Sequence, residues 1–406
     1  MARHRLTHAV SGIAILALSA CGGGRTPPNL EPVSRGDAYQ AQYRDLVEPA
    51  DPNAVLVSER MNASKCRPYA GSSGAGSKLG RYLPQALRGE LLSRGDLLDL
   101  RLPEDETFTG EFVVSRDGML KLPYLAPIPA QGRSAAQVAA DIRQALVSGG
   151  FYDAEPEISL LLIDFAPARV AVNGAVFEER PVDIGGVQGD QVDQRRQAAL
   201  GASTEGRNIS VALRSAGGVR PDADLSAVRI TRGGNNYIVD LRGAVDGRPF
   251  DDVMLLTGDE VFVPSRQCFQ DDLMKPSPVS PPGISLYLSN LTQPAAGNAP
   301  SAIGQTVREV PYGTRYIQAV IDANCVGGAR ATSADRSAAL FSRNPVTEVS
   351  AVIERPIEKL RKRADRDDYD PYLLPGDAIA CYDSGVTNVI ELGKVLGLFG
   401  VITLLD

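Results

Sequence analysis

Histidine, the side chain best suited to shuttle protons or bind metal, is scarce in this sequence of 406 residues. Its only histidines, His4 and His8, stand at the extreme start, ahead of an apolar run. A chain cut after that run keeps no imidazole, the commonest general base and metal ligand. Carboxylate pairs occur at Asp251-Asp252, Asp271-Asp272 and Asp367-Asp368. Neighbours in sequence point in different directions, and nothing sets a pair at the separation that glycoside cleavage needs. Among the five cysteines, Cys66, Cys268, Cys325 and Cys381 are too widely spaced for a zinc knuckle. In an oxidising compartment these four allow three disulfide connectivities. Cys66–Cys268 with Cys325–Cys381 is the expected set, because the second pair falls within one domain. No catalytic residue, metal site or cofactor is expected. The formal net charge of −7 argues against a nucleic-acid partner.

Cys21 is a different case. Arg3 and Arg5 make a basic start, and residues 10–18 form an apolar run too short to span a bilayer comfortably. The run ends in Leu18-Ser19-Ala20-Cys21, followed by Gly22-Gly23-Gly24. This pattern resembles a bacterial lipobox. The resemblance implies a signal peptide over 1–20, diacylation of the Cys21 thiol, cleavage before it, and acylation of the new amine, palmitate being a typical chain. Gly22, where Asp would retain the protein at the inner membrane, implies sorting to the outer membrane. Several acyl chains at about 0.8 kcal/mol per buried CH₂ make a firm anchor. A plain secretory peptide cut nearby is the alternative.

The elements that position the rest are marked by a phrase that occurs three times. It is LLSRGDLLDL at 91–100, LLTGDEVFVP at 255–264 and LLPGDAIACY at 373–382. Gly frees the backbone for a tight turn, Asp can hydrogen-bond the backbone that follows it, and the alternating run predicts a half-buried strand. Residues 21–80, rich in Gly, Pro, Ser and Ala, predict a flexible tether. Residues 81–168 predict a small α+β module. It has a strand at 97–102, a hairpin of 111–115 and 119–122 about Arg116-Asp117-Gly118, a helix and a strand at 157–165. The helix starts at a Ser134/Gln137 capping box, buries Val138, Ile142 and Leu146, and stops at Gly149-Gly150.

Residues 169–268 predict a second module. A strand at 169–176 is followed by a polar insertion at 185–207. A helix at 209–216 stops at Gly217-Gly218, a hairpin of 228–231 and 237–241 follows, and the closing phrase ends the module. Residues 269–283 are Pro-rich and predict a semi-rigid linker. Residues 284–384 repeat the order, with a strand at 284–291, a helix at 316–323 and the third phrase, so the two units are diverged copies of one β-grasp-like module. The charged stretch 354–370 predicts a solvated helix face, or else an electrostatic contact between protomers.

The tail, 385–406, predicts an amphipathic membrane helix. About 20 helical residues span about 30 Å, the thickness of a bilayer's hydrocarbon core. Thr387, Glu391 and Lys394 share one face as pore-lining candidates, and Leu392, Val395, Leu396 and Phe399 fall largely opposite. Gly393, Gly397 and Gly400 form a small-residue stripe where helices could pack closely. One helix alone would put Glu391 and Lys394 into lipid at a cost, whereas a ring of helices would turn them to a wet lumen. The polar face ends after Lys394, and a helix docked on the protein's own core is the alternative. The fold class is therefore α+β, three small α/β modules in series with a C-terminal amphipathic membrane helix.

Four segments carry a family resemblance: RGDLLDLRLP at 94–103, FVVSRDGMLKLPYL at 112–125, QGRSAAQVAADIRQAL at 131–146 and EPEISLLL at 155–162. Together they are similar to the polysaccharide export domain. VNGAV at 172–176, AGGV at 216–219 and GDEVFVP at 258–264 resemble a soluble-ligand-binding β-grasp repeat. The resemblance implies an outer-membrane lipoprotein, not an enzyme, with a large periplasmic part. It implies an octameric ring enclosing a cavity, an α-helical barrel made by the tails, and export of capsular or extracellular polysaccharide. An inner-membrane polysaccharide co-polymerase or tyrosine kinase would be the partner beneath. A glycan-binding or adaptor lipoprotein that faces the periplasm without spanning the membrane is the alternative.

Overall fold

A computed structural model describes residues 66–71, 83–103, 105–185, 205–290, 307–323, 325, 336–343, 345, 348, 350–357 and 370–382. The chain forms two compact units, Lys65–Pro282 and Gly283–Asp406 together with Met1–Ser64.

The Lys65–Pro282 unit opens with a three-stranded antiparallel sheet in the order β2-β1-β5, from β1 (Leu97–Arg101), β2 (Gly110–Val113) and β5 (Ser159–Asp164). A two-stranded ribbon, β3 (Met119–Leu120) with β4 (Ile128–Pro129), stands beside it. Helix α1 (Ala135–Ser148) starts at the predicted capping box. The Gln137 N–H donates to the Ser134 side chain, and the Ser134 N–H donates back to Gln137. Val138, Ile142 and Leu146, four residues apart, are all fully buried against Leu98, Leu100 and Leu120. Burial of each contributes about 1.5–3 kcal/mol.

The same unit continues with β6 (Ala168–Gly174), β7 (Arg180–Ile184), α2 (Ile209–Ser215), β8 (Val228–Arg232), β9 (Asn235–Val239), the single turn α3 (Gly243–Asp246) and β10 (Glu260–Val263). The sheet order is β7-β6-β10-β8-β9, with β6 and β10 parallel and the other pairs antiparallel. Numbered within the repeat this is 2-1-5-3-4, the β-grasp order, and α2 buries Ile209, Ala212 and Leu213 on it. Gly233 and Gly234, both at positive φ, make the two-residue turn between β8 and β9.

The second unit is described from Gly283 onward. It contains β11 (Ile284–Asn290), β12 (Val307–Val310), α4 (Tyr316–Asp322), β13 (Ser337–Arg343), β14 (Ser350–Pro356) and β15 (Ala378–Tyr382). Their order, β12-β11-β15-β13-β14, with β11 and β15 parallel, repeats the first five-stranded sheet strand for strand.

Four local expectations change. Residues 111–115 and 119–122 pair only at the turn, where the Gly118 N–H donates to the Ser115 carbonyl and the Ser115 N–H to the Met119 carbonyl; beyond it β2 pairs with β1 and β3 with β4. Val114 and Leu120 leave the turn into the core, which draws the strands apart. The Pro-rich stretch 269–283, expected as a semi-rigid linker, is packed in part on the preceding sheet. Leu273, Met274 and Val279 are buried, and the Val219 N–H donates to the Val279 carbonyl. Apolar residues placed between its prolines give it a face to bury. Glu354, Arg355 and Pro356 lie in β14, with Ile353, Arg355 and Ile357 turned inward at a period of two rather than on a solvated helix. Finally, β4, β7, β12, β13 and β14 have no counterpart in the expected strands.

Among the described residues no helix is long and apolar enough to cross a membrane. The helix expected over 385–406, with Thr387, Glu391, Lys394, Gly393, Gly397 and Gly400, lies outside the described residues. So do Cys21 and most of the insertion at 185–207.

Candidate functional site

The three Gly-Asp phrases fold into one local device. Asp96, Asp259 and Asp377 are 0%, 2% and 1% exposed. Each carboxylate accepts the N–H of the residue three positions before it: Ser93 at 2.7 Å, Leu256 at 2.8 Å and Leu374 at 2.9 Å. Each Asp N–H returns to the carbonyl of that same residue, and the Gly between has φ of 87°, 96° and 88°. A turn with Gly at its third place points its first N–H inward, so the carboxylate folds back onto the preceding backbone and not, as expected, onto the following one.

What differs is the cation supplied to each turn. Asp96 accepts Arg207 Nη1 at 2.8 Å and the Ala166 N–H at 3.0 Å. Burial raises its carboxyl above the ordinary value although Arg207 opposes this, and burial likewise lowers the Arg207 guanidinium. Asp259 is held by Arg232, with Nη2 at 2.6 Å and Nε at 3.0 Å. Among the described residues Asp377 has no such partner. The β13 residue at the place of Arg232 is Ser342, since Glu260 pairs with Thr231 and Ala378 with Phe341. Burial pushes the Asp377 carboxyl up to about 7, against weaker support from the Leu374 N–H and the Ser342 hydroxyl.

Within Lys65–Pro282 the first two phrases touch. The Thr257 N–H donates to Ser93 Oγ at 3.1 Å, and Gln131 Nε2 donates to the Thr257 carbonyl. Leu91, Phe165, Met254 and Leu256 bury one another beneath, with the Arg207 guanidinium 5.1 Å from the Phe165 ring. This joint fixes the three-stranded sheet to the five-stranded one. Arg207, its central cation, was not singled out in the sequence, because an Arg at the end of a polar insertion has the pattern of a solvated residue.

A strap at 66–71 docks on the first five-stranded sheet. Cys66 is joined to Cys268 in a disulfide, and Cys325 to Cys381. Arg67 N–H donates to the Arg266 carbonyl and Arg266 Nε to the Arg67 carbonyl. The Tyr69 ring lies 3.8 Å from the Arg266 guanidinium carbon. Ala70 N–H donates to buried Asp224, and Gly71 N–H to Ser226 Oγ. A Cβ at Gly71 would stand 2.1 Å from the Ser226 carbonyl, so only glycine passes there.

Of the paired acids, Asp252 has structural work. Asp252 accepts both the N–H and the hydroxyl of Ser210 in the first turn of α2. Among the described residues no group of three or more His, Cys, Asp or Glu side chains could hold a metal ion. The most exposed large hydrophobic residue described is Tyr124, 81% exposed at φ 61°, where a turn would ordinarily place Gly.

Residues 85–162 match the family described as "Polysaccharide biosynthesis/export protein". The chain is also 26% identical over 195 residues to the EPS I polysaccharide export outer membrane protein EpsA of Ralstonia solanacearum. That match covers 47% of this chain and 46% of EpsA, so the chain spans about half the length of this curated relative. Strands β1–β4 and α1 fall within 85–162, and β5 crosses the end of that range. With that module ahead of two five-stranded sheets in the sequence, residues 85–162 are similar to the polysaccharide biosynthesis/export family, and the chain is similar to an outer-membrane polysaccharide export protein.

Proposed function

We propose that the chain is an outer-membrane lipoprotein whose copies form a ring-shaped conduit, passing capsular or extracellular polysaccharide from the periplasm to the cell surface. The observation that carries this is the export module at 85–162 continuing, through the buried Asp96–Arg207 joint, into a β-grasp sheet that recurs strand for strand. Cys21 supplies the lipid anchor. The tail supplies the span, with Thr387, Glu391 and Lys394 toward the lumen and Gly393, Gly397 and Gly400 between helices. The chain is a passage and not an enzyme. The ring, an octamer, stands above an inner-membrane co-polymerase or tyrosine kinase that feeds it polymer.

Deleting the gene should abolish surface polysaccharide and leave polymer inside the cell, with full rescue by the parent and poor rescue by Cys21→Ser. Images of the lipidated protein in detergent should show rings with protease-protected tails. A monomer with an accessible tail, together with undiminished secretion in the deletion strain, refutes the reading. Rings with accessible tails would favour the adaptor that does not span the membrane.

A further inference from the structure

Because the two five-stranded sheets share one strand order, their outward faces can be compared row by row. In the first repeat one row runs Ala171, Glu260, Thr231, Asn236 across β6, β10, β8 and β9. It is polar, and Thr231 Oγ1 lies 2.8 Å from Asn236 Oδ1. The matching row of the second repeat runs Tyr287, Ala378, Phe341, Val352 across β11, β15, β13 and β14. Tyr287 is 56% exposed and Phe341 45% exposed. Their positions are two strand spacings apart, about 10 Å, with the small Ala378 between them. Ser285 and Arg343, each two residues along its strand and so on the same face, are exposed beside the rings.

We propose that Tyr287 and Phe341 form a carbohydrate-stacking platform on the second repeat, which holds the passing polymer loosely by alternate sugar rings. This rests on the polysaccharide export reading above. A pyranose ring offers C–H bonds on its face and hydroxyls at its rim. The electron-rich faces of Tyr and Phe attract those C–H bonds, and Ser285, with Nη1 of the Arg343 whose Nε and Nη2 are held by Glu348, can take the hydroxyls. The shallow Ala378 gap leaves room for the ring between two stacked ones.

Patch size selects this occupant. Two half-exposed rings offer about 200 Å², far below the roughly 800 Å² per partner of a stable protein interface. An anionic bilayer surface is disfavoured by the chain's net charge of −7. The first repeat shows that the fold does not need aromatics there. Its one aromatic on the next row, Phe262, lies under the Arg229 guanidinium at 4.6 Å.

The test uses the full mature protein in detergent and oligosaccharides cut from the host strain's own secreted polysaccharide, with binding measured by calorimetry. Tyr287→Ala/Phe341→Ala should bind about tenfold more weakly than the parent, while Thr231→Ala in the first repeat binds as the parent does. Hydrogen exchange in β13 and β15 should be unchanged in the double variant, so that loss of fold is separated from loss of stacking. Tyr287→Phe should retain binding. Unchanged oligosaccharide binding by the double variant overturns the proposal. So does an effect seen only on ring assembly or on binding to anionic phospholipid vesicles. Failure here with normal complementation of secretion leaves the export reading standing. Failure of the deletion strain to lose polysaccharide removes both.

Discussion

The buried Asp377 makes the second repeat sensitive to pH. Burial pushes its carboxyl from 3.8 up to about 7, and no cation among the described residues faces it. A folded-state value above the unfolded one means that the native state binds the proton more tightly. The repeat is therefore most stable below about pH 4 as far as this group is concerned, and loses stability as pH rises toward 7. The gap from 3.8 to about 7, at about 1.4 kcal/mol per pH unit, amounts to roughly 4 kcal/mol. Between about pH 5 and pH 8 some 2–3 kcal/mol of it should be lost. Asp377→Asn keeps an acceptor for the Leu374 N–H but cannot ionise, so its stability should be nearly flat over that window. Ser342→Arg places a cation where Arg232 stands in the first repeat and should reduce the slope while keeping the acid. The assay is hydrogen exchange of the β13 and β15 amides in the full chain, corrected for intrinsic pH dependence. An Asp377→Asn protein that loses protection with pH as steeply as the parent would refute the argument.

Three further outcomes follow from the Lys65–Pro282 unit. Asp96→Asn strands the buried Arg207 guanidinium and should cost about 3–5 kcal/mol by urea unfolding, whereas adding Arg207→Met should recover much of it. Gly174→Ala sets a Cβ 2.1 Å from the Val263 carbonyl at φ 91°. Its loss of stability should exceed the roughly 1–2 kcal/mol expected for Gly234→Ala, which has φ 81° and open space around it. Cys66→Ser should release the strap and expose Arg67 to trypsin, read by mass spectrometry, while α1 stays protected from hydrogen exchange.

Local rules made much of this fold legible. The Ser134/Gln137 box and the four-residue spacing of Val138, Ile142 and Leu146 located α1 to within a residue, because capping and one-sided burial are encoded over short distances. The repeated Gly-Asp phrases likewise marked β1, β10 and β15. Strands β7 and β14 were not legible. Each pairs with the strand just before it, but Pro181 and charged residues in β7, and Glu354, Arg355 and Pro356 in β14, break the apolar alternation, so a short window holds no strand signal. Asp377 shows the same limit at the level of the site. Its phrase matches that of Asp259, and the difference lies in Ser342 against Arg232, which only strand register brings to the turn. The aromatic row is legible only across strands for the same reason, since Tyr287 and Phe341 are far apart in sequence.

The strap at 66–71 also decides where mechanical load travels. Tension applied to the chain ahead of Cys66 passes through the covalent link to Cys268, just beyond β10, rather than along the backbone through 83–164. If the N-terminus is lipid-held, as proposed, a tug on it would thus bypass the first β-grasp sheet as well, since β6–β10 lie inside the loop that the disulfide closes. The export module would hang beside that line of force, free to keep its shape while the anchor moves.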